Sequence, residues 1–237
     1  MIRALLLLML FSLPARGEQA GALTLDPASI ARDSAARGAL VWVHPFAREL
    51  PAPDAPELAA RLRAQGYDLW RFDRAGGPDP LDAGATRLAE GTQALRARGY
   101  RRVVLLGESR GAFVMLVALR HPGLADAVLF AAPAAHGRSE ARRAQALADF
   151  AAALERAAPG PRLALFLFAD DGWDPDPAAR AGLFRAATQR LGAPALLVDR
   201  PPEPTGHGGL SDPGFDARFG DCVARFLDLD SAPPDGC

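Results

Sequence analysis

The sequence predicts an α/β domain with a mostly parallel sheet of about six to seven strands and helices on both of its faces. The first observation is size, because 237 residues that are 49% hydrophobic suffice for one full core and are too few for two generous domains. The second is that strand-like runs are apolar throughout, as in a sheet covered on both faces. The third is that Ala-rich helical segments separate these runs. Residues 18–237 are therefore predicted to form a single domain.

The first half of this domain contributes two strands and two helices. The apolar run "ALVWVHPF" at 39–46 predicts a buried strand, and the periodic segment 54–66 predicts a helix. A second strand, "YDLWRFD", follows at 67–73, and a second helix at 82–98. Each helix is followed by, or ends at, a glycine, which is typical of a helix C-terminus.

The second half continues the alternation of strands and helices. Its strands are rich in Val, Leu and Phe, and its last helix is amphipathic. The strands are predicted at 101–107, 126–132, 162–169 and 194–199, and the helices at 110–121, 138–157, 177–191 and 215–228. In a parallel sheet of this kind, functional residues collect at the carboxyl ends of the strands.

Residues 1–17 have the pattern of a secretory signal peptide. A short positive start precedes the apolar stretch Ala4–Leu13, and Ala15-Arg16-Gly17 is a small-x-small cleavage site. The apolar stretch is about half as long as a membrane-spanning helix, which needs roughly 20 residues. We expect a secreted or periplasmic protein with no stable membrane anchor after cleavage. An uncleaved N-terminal anchor is the alternative.

Export gives a role to the two cysteines, Cys222 and Cys237. In an oxidising compartment they can pair and tie the C-terminal tail to the last helix. A loop of this length would stabilise the fold by roughly 3 kcal/mol on the chain-entropy estimate. The alternative is a buried free thiol at Cys222 and a frayed terminus at Cys237.

Charge and motif content exclude several classes of function. The net charge of −1 argues against a nucleic-acid partner, and all 27 basic residues are Arg, so a lysine Schiff base is excluded. No His/Cys spacing indicates a metal, and the acidic residues at 170–176 do not match a calcium loop. No Gly-rich nucleotide fingerprint follows the first strand. We expect no cofactor and no metal.

Ser109 is the candidate nucleophile. It lies in "GESRG" (107–111), a G-x-S-x-G pattern between a predicted strand and a predicted helix. The glycines permit a sharp turn that raises the serine Oγ above the sheet and aims the helix N-terminus at it. In this context the chain resembles the α/β-hydrolase family, with "GESRG" as its nucleophile elbow. The resemblance covers nearly the whole of residues 18–237 in strand–helix order, and a chain of this size leaves room for at most a small helical flap at 134–158.

The resemblance assigns the catalytic base to His207. This residue lies in "TGHGGL", after the last predicted strand and before the last helix, where the family places its base. The neighbouring glycines let the imidazole approach Ser109, which needs a base because a serine alone is a poor nucleophile. His136, placed at another strand end, is the alternative base.

The resemblance also indicates the acid, which we predict to be Asp171. The family holds its acid just past a strand, typically in Gly-x-x-Asp with a proline a few residues on. The segment "FADDGWDP" fits if Phe168 takes the place of the glycine and Pro175 is the trailing proline. Asp170 and Asp174, in the same loop, are the alternatives.

Two backbone N–H groups are predicted to form an oxyanion hole. One belongs to Arg110, the residue after the nucleophile, and the other to the loop after an early strand. The segment "VHPF" resembles the family's His-Gly-x version of that loop, with Pro45 in the place of glycine. Because proline has no N–H, the second donor should be Phe46. His44 is expected to hydrogen-bond the loop and to take no part in the chemistry.

The remaining residues of interest have structural interpretations. Glu108 and Arg110 are expected to form a salt bridge with each other or at a helix end, and contact with the substrate is the alternative. Trp42 and Trp70 are candidates for the core, whereas Trp173 lies beside the predicted acid and is the candidate to line an acyl pocket.

These observations predict an exported serine hydrolase that cleaves carboxylic esters of small or medium size through an acyl-enzyme. The triad would be Ser109, His207 and Asp171. The same triad serves peptidases, thioesterases, lactonases and dienelactone hydrolases, so the substrate class stays open. A non-catalytic binding protein on the same fold is the competing class. The sequence carries no information on the oligomeric state.

Overall fold

The computed structural model describes residues 18–47, 51–74, 77–174, 176–234 and 236–237. The predicted signal peptide at 1–17 and the trailing Pro175 lie outside the described residues. In the part that is described, no helix is both long enough and apolar enough to cross a bilayer.

In the described part of the chain, eight strands form one sheet. They are β1 (Gln19–Ala20), β2 (Leu23–Leu25), β3 (Gly38–Val43), β4 (Tyr67–Arg71), β5 (Val103–Glu108), β6 (Ala127–Ala131), β7 (Arg162–Leu167) and β8 (Ala195–Asp199). Their order across the sheet is β1-β2-β4-β3-β5-β6-β7-β8. The pairs β1–β2 and β2–β4 are antiparallel, and every other pair is parallel. The predicted fold class is confirmed.

The strands β1 and β2 are the difference from the prediction. They are two and three residues long, which is too short for an apolar run or an alternation to be visible in the sequence. The other six strands lie where the apolar runs predicted them.

Six α-helices among the described residues connect and cover the strands. They are α1 (Glu57–Ala64), α2 (Leu81–Ala97), α3 (Arg110–Ala118), α4 (Arg143–Glu155), α5 (Pro177–Leu191) and α6 (Pro213–Leu227). Helices α2 to α5 pack on one face of the sheet, and α1 and α6 on the other, so each face carries its own apolar cluster. Trp42 and Trp70 are fully buried, one in each cluster, as predicted.

The predicted helix at 138–157 begins later than expected. Residues 138 and 139 lie in a loop, a short 3-10 turn covers Glu140–Arg142, and α4 proper begins at Arg143. Helix α4 packs against α3 and α5. It therefore does not form the small helical flap that was the most this segment could provide, and only the loop before Arg143 borders the cleft.

The C-terminal tail is fastened along the edge of the sheet where the parallel strands begin. Arg37, just before β3, pairs with Asp228, and Arg102, just before β5, pairs with Asp230. Arg162 at the start of β7 donates to the carbonyl oxygen of Ser231 at 2.7 Å. Cys222 of α6 forms a disulfide with Cys237, as predicted, with 5.6 Å between the Cα atoms.

Candidate active site

Ser109 occupies a sharp turn at the carboxyl end of β5. Its φ of 55° and ψ of −122° lie outside the regions that most L-residues adopt. The turn is held by hydrogen bonds on both sides, from Ser109 N–H to the carbonyl of Ala131 (2.9 Å) and from Ala134 N–H to the carbonyl of Ser109 (3.1 Å). Helix α3 begins at the next residue and points its N-terminus at the serine.

Gly111 allows this turn to form against the neighbouring strand. A Cβ atom at this position would lie 1.9 Å from the carbonyl oxygen of Val43 and 2.4 Å from that of His44. No side chain fits there, so the second glycine of "GESRG" is required by the close approach of α3 to the end of β3.

Ser109, His207 and Asp171 form a hydrogen-bonded row. His207 Nε2 lies 2.7 Å from Ser109 Oγ, and His207 Nδ1 lies 2.9 and 3.0 Å from the two carboxylate oxygens of Asp171. Because a carboxylate only accepts, Nδ1 carries the proton and Nε2 offers its lone pair to the serine hydroxyl. This is the arrangement in which histidine can remove the serine proton.

Two loops bring the acid and the base together. Asp171 follows β7, its side chain is only 2% exposed, and its Oδ1 accepts the Trp173 N–H at 2.8 Å. His207 follows β8, and Gly206 N–H donates to the carbonyl of Ala169 at 2.7 Å, which ties the histidine loop to the acid loop.

Phe168 stands where the family pattern has glycine, and it packs against the histidine loop. A Cβ atom on Gly209 would lie 2.5 Å from Cδ1 of the Phe168 ring. The large residue in the acid loop is therefore accommodated by a glycine two residues after His207.

Glu108 is hydrogen-bonded to the loop that contains His207 (the histidine loop). Its buried carboxylate accepts the Leu210 N–H at 3.0 Å, the Ser211 N–H at 3.3 Å and the Ser211 hydroxyl at 2.7 Å. Burial raises the pKa of Glu108, and these hydrogen bonds oppose the rise. The mutual salt bridge expected as one alternative for Glu108 and Arg110 is not formed. Arg110 instead lies 3.4 Å from Asp79, two residues before α2. The role of Glu108 was missed, since nothing local to this residue indicates a partner about a hundred residues away.

The backbone N–H groups of Phe46 and Arg110 are free to bind an oxyanion. Within the described chain, neither donates a hydrogen bond to another protein group, and both residues line the cleft that contains Ser109. His44 is fully buried and orients this loop. Its Nε2 accepts the Arg74 N–H at 2.9 Å, so its protonated Nδ1 donates to the carbonyl of Pro45. The carbonyl and N–H of a trans peptide point in opposite directions, so this bond also directs the Phe46 N–H away from His44.

A network of charged side chains links His44, in the loop after β3, to Arg110 at the start of α3. The Arg74 guanidinium donates to the carbonyl of His44 and to the carboxylate of Asp79. Arg110 donates to the backbone carbonyls of Asp79 and, at 2.9 Å, of Ala135. Burial lowers the pKa of Arg74, which Asp79 partly offsets. Sequence reasoning missed Arg74 and Asp79, because their roles depend on contacts across loops.

The site opens into a cleft of about 690 Å³. Its wall is formed by the loop after β3 (the oxyanion loop, residues 44–47), the elbow, the loops that hold Asp171 and His207, and the segment between β6 and α4. The lining residues are Pro45, Phe46, Ser109, Arg110, Ala134, Ala135, His136, Gly137, Arg142, Trp173 and His207. Phe46 and Trp173 are 54% and 39% exposed, unusual for large apolar side chains. The Trp173 indole stacks on the His207 imidazole, with ring centroids 5.3 Å apart and 27° between the planes.

The alternative acid and base residues have other partners. His136 lines the cleft, but its Nε2 lies 2.9 Å from Asp149 of α4. The carboxylate of Asp174 is buried 3.1 Å from the guanidinium of Arg180, and burial raises its pKa. Asp170 is exposed and has a φ of 58°. None of the three joins the row formed with Ser109. Among the described residues, no group of three or more His, Cys, Asp or Glu side chains is placed to hold a metal ion.

The fold is found in solved structures of several hydrolases. The sequence itself matches no protein-family model and no curated protein. The esterase Pf2001 of Pyrococcus furiosus is 16% identical with a TM-score of 0.61, and the match covers 82% of each chain. An acetyl ester-xyloside bifunctional hydrolase of Caldicellulosiruptor lactoaceticus is 14% identical with a TM-score of 0.60, covering 87% of this chain and 86% of that one.

A third matching structure belongs to a protein that is longer than this chain. The acylaminoacyl peptidase of Pyrococcus horikoshii is 12% identical with a TM-score of 0.57, and the match covers 86% of this chain but 38% of the peptidase. At these identities the likeness concerns the fold, and the sheet order, the helices on both faces and the elbow at the end of β5 agree with it. The chain has the α/β-hydrolase fold.

Proposed function

We propose that the protein is an exported serine hydrolase that cleaves carboxylic esters of small or medium size. The observation that carries this proposal is the row of hydrogen bonds from Asp171 through His207 to Ser109 Oγ, placed in an open cleft at the carboxyl edge of the sheet. A serine in such a row is an activated nucleophile, whereas a loop serine without a base is not.

In the first half of the reaction, Ser109 Oγ attacks the ester carbonyl carbon while His207 Nε2 accepts the hydroxyl proton. The oxygen that becomes negative is bound by the N–H groups of Phe46 and Arg110. Asp171 keeps its hydrogen bond to Nδ1 and stabilises the imidazolium. The imidazolium then gives its proton to the leaving alcohol, and an acyl-enzyme remains on Ser109.

In the second half, water replaces the alcohol. His207 takes a proton from the water molecule as its oxygen attacks the acyl carbon, and the same N–H groups bind the second oxyanion. Collapse of this intermediate breaks the bond to Oγ, the proton returns to Ser109, and the carboxylic acid leaves. One ester and one water yield one acid and one alcohol, with the enzyme regenerated.

Two observations favour an ester over a peptide. The matches to the esterase and to the acetyl ester hydrolase extend over more than four fifths of both chains, whereas the peptidase is matched over 38% of its length. The cleft also has an open, aromatic rim at Phe46 and Trp173, which suits the apolar part of an ester. Peptidase, thioesterase and lactonase activities use the same triad and are the alternatives.

Export is supported by two features of the chain. Residues 1–17 have the charge and hydropathy pattern of a cleaved signal peptide. Cys222 and Cys237 are joined in a disulfide, which persists in oxidising compartments and is rare in the cytosol.

The test uses purified protein, a fluorophosphonate probe and p-nitrophenyl esters of increasing acyl length. We expect labelling of Ser109 and turnover of short and medium esters, and Ser109→Ala should abolish both. His207→Ala should lower kcat by several orders of magnitude. Ser34→Ala, which changes an exposed serine outside the cleft, is the matched control and should behave as the wild type.

The outcomes separate the candidate functions. Labelling of Ser109 without ester turnover would favour a peptidase, to be tested with short acylated peptides. No labelling of Ser109 in a folded protein would contradict the proposal and favour a binding protein.

A further inference from the structure

The cleft has a small side cavity beside Trp173. This cavity of about 110 Å³ is lined by the turn before α4 and by the acid loop: Gly137, Arg138, Ser139, Glu140, Arg142, Arg143, Ala146, Gly172 and Trp173. Gly137, Arg142 and Trp173 also line the main cleft. The two spaces therefore adjoin, with the Arg142 side chain at their common wall.

We propose that this side cavity binds a free carboxylate on the substrate, so that the preferred esters carry an anionic group a few atoms from the scissile carbonyl. The proposal rests on the proposed hydrolase function and names the substrate class of that same site.

The charges along the cleft are uneven. Among the residues that the structure describes, no Asp or Glu lines the main cleft. Its Arg110 and His136 have buried or half-buried acidic partners, at 3.4 Å from Asp79 and 2.9 Å from Asp149. Arg142 has no carboxylate within ion-pair distance among the described residues. A substrate anion would supply the charge that the protein does not.

The side cavity adds a second guanidinium. Arg138 also lacks a carboxylate partner in the described part of the chain, whereas the neighbouring Arg143 is bound to Asp176 at 2.7 Å and lies 3.6 Å from Glu140. A Cβ atom on Gly172 would lie 2.9 Å from Arg138 Nη2. The guanidinium of Arg138 is thus packed on a glycine of the acid loop, next to Trp173.

This local excess of positive charge is not a property of the whole surface. The chain has 28 acidic and 27 basic residues, and most arginines that the structure describes have an acidic partner. Arg138 and Arg142 lack one, and they are distinguished by their position, because both line the cavity that adjoins the serine cleft.

The size and shape of the cavity favour a carboxylate. A volume of about 110 Å³ holds a few heavy atoms, and the planar fork of arginine matches the two oxygens of a carboxylate. Trp173 lies between this cavity and His207, where its indole can cover the methylenes that join the two ends of a half-ester.

The test compares two p-nitrophenyl esters of equal length. One is mono-p-nitrophenyl adipate, which ends in a carboxylate, and the other is the p-nitrophenyl ester of adipamic acid, which ends in a neutral amide. We expect wild-type protein to prefer the anionic ester in kcat/KM, and the preference to fall as salt is added. Arg142→Gln should lower the ratio of the two kcat/KM values roughly tenfold or more, and Arg138→Gln should lower it in the same direction.

Arg156→Gln is the matched control. Arg156 lies at the other end of α4, is exposed and lines neither cavity, so its replacement removes the same charge and should leave the ratio unchanged. A ratio that is the same in wild type and Arg142→Gln would overturn the proposal while leaving the hydrolase function intact.

A binding measurement tests whether the side cavity binds a carboxylate without requiring turnover. Monomethyl adipate, an anion, is titrated into the Ser109→Ala protein by calorimetry and compared with neutral dimethyl adipate. Binding of the anion alone, lost on adding Arg142→Gln, would support the proposal even if neither p-nitrophenyl ester were cleaved. Equal affinity for the two compounds, or no heat with either at millimolar concentration, would contradict it.

Discussion

Asp171 and Asp174 lie three residues apart in one loop, yet their carboxylates have different partners. That of Asp171 faces His207 Nδ1, and that of Asp174 is buried beside the guanidinium of Arg180. The Arg180 side chain is only 1% exposed and also donates to the carbonyl of Pro133. At the scale of single residues, one carboxylate therefore faces the histidine of the proposed triad and the other pairs with a buried arginine.

Replacing these residues one at a time should separate activity from stability. Asp171→Asn should lower kcat roughly 10⁴-fold with little loss of stability, because a neutral amide neither fixes the proton on His207 Nδ1 nor stabilises the imidazolium. Asp174→Asn should chiefly lower the unfolding free energy, by roughly 3 kcal/mol or more, because Arg180 would keep a buried charge without its partner. Asp170→Asn should change neither. Steady-state kinetics and thermal unfolding of the three proteins provide the measurement, and a folded Asp174→Asn protein with the lowest kcat would contradict this assignment.

The burial of His44 predicts that the stability of the fold decreases at acidic pH. Burial and the nearby Arg74 charge lower its pKa below the ordinary value of 6.5, so the folded protein keeps it neutral. As the pH falls through about 6.5, the unfolded chain takes up a proton that the folded chain does not. The unfolding free energy should therefore decrease on the acid side of that value, by at most about 1.4 kcal/mol per pH unit from this group.

The check is urea unfolding of wild type and His44→Gln at pH 7 and pH 5. Glutamine does not titrate, so the loss of stability between the two pH values should be smaller in the variant. Equal losses in the two proteins would show that His44 does not cause the effect.

Residue patterns predict the members of the site better than they predict its supports. Ser109 is marked by its glycines and His207 by its place in a glycine-rich loop, and the fold brings both together with Asp171. Glu108 and Arg74 carry no such local mark. Each acts through partners on another loop, so their roles require the tertiary structure.

Helix α3 shows how closely the elements around the elbow are packed. Its first turn approaches the end of β3 so closely that Gly111 has no room for a Cβ atom. The same contact sets the distance between Ser109 and the oxyanion loop that follows β3. At the scale of elements, the site depends on a helix–strand contact that only glycine permits.

Gly111→Ala should therefore be strongly destabilising. A Cβ atom would lie 1.9 Å from a backbone oxygen, so α3 or β3 must move, at a cost of roughly 3 kcal/mol or more. Gly182→Ala is the matched control, because Gly182 is exposed in α5 and a Cβ there meets nothing within 4 Å. Alanine at that position should raise stability by about 0.5–1 kcal/mol. Thermal unfolding of both variants measures the contrast, and a Gly111→Ala protein as stable as wild type would refute the packing argument.

The helices and strands differ in how well the sequence predicts their limits. Helix α5 spans residues 177–191 as predicted, because Pro177 starts it and Gly192, in the left-handed conformation, ends it. Helix α4 begins five residues late, since the charged segment before Arg143 has helical composition but forms the loop and 3-10 turn that line the cleft. Composition alone does not distinguish these two outcomes.

At the scale of the whole molecule, the two ends of the parallel strands carry different groups of residues. The carboxyl ends of the parallel strands carry Ser109, Asp171 and His207, and the amino ends carry the ion pairs and carbonyl contacts that fasten the tail. The disulfide joins the end of the tail to Cys222 of α6. The proposed catalytic residues and the contacts that fasten the tail thus lie at opposite ends of the parallel strands.

Removing the disulfide should lower stability without changing the chemistry. Cys222→Ser with Cys237→Ser opens a loop with a sequence separation of 15, which corresponds to roughly 3 kcal/mol. We expect a lower urea midpoint and an unchanged kcat at 25 °C, since neither cysteine lines the cleft. The same shift should appear in wild type on reduction. No change in midpoint on reduction would contradict the prediction.

The fastened tail also determines how the protein would sit on a solid support. Ser231 is held at the start of β7, whereas Ser109 follows the end of β5. The two residues are therefore separated by about the length of a six-residue strand, roughly 20 Å. A C-terminal tag would follow Cys237, which the disulfide holds against Cys222 of α6, and neither cysteine lines the cleft with Ser109, so coupling through the tag should leave that cleft accessible. A support of this kind would leave the path of the substrate open, and immobilised protein should keep the turnover it has when dissolved.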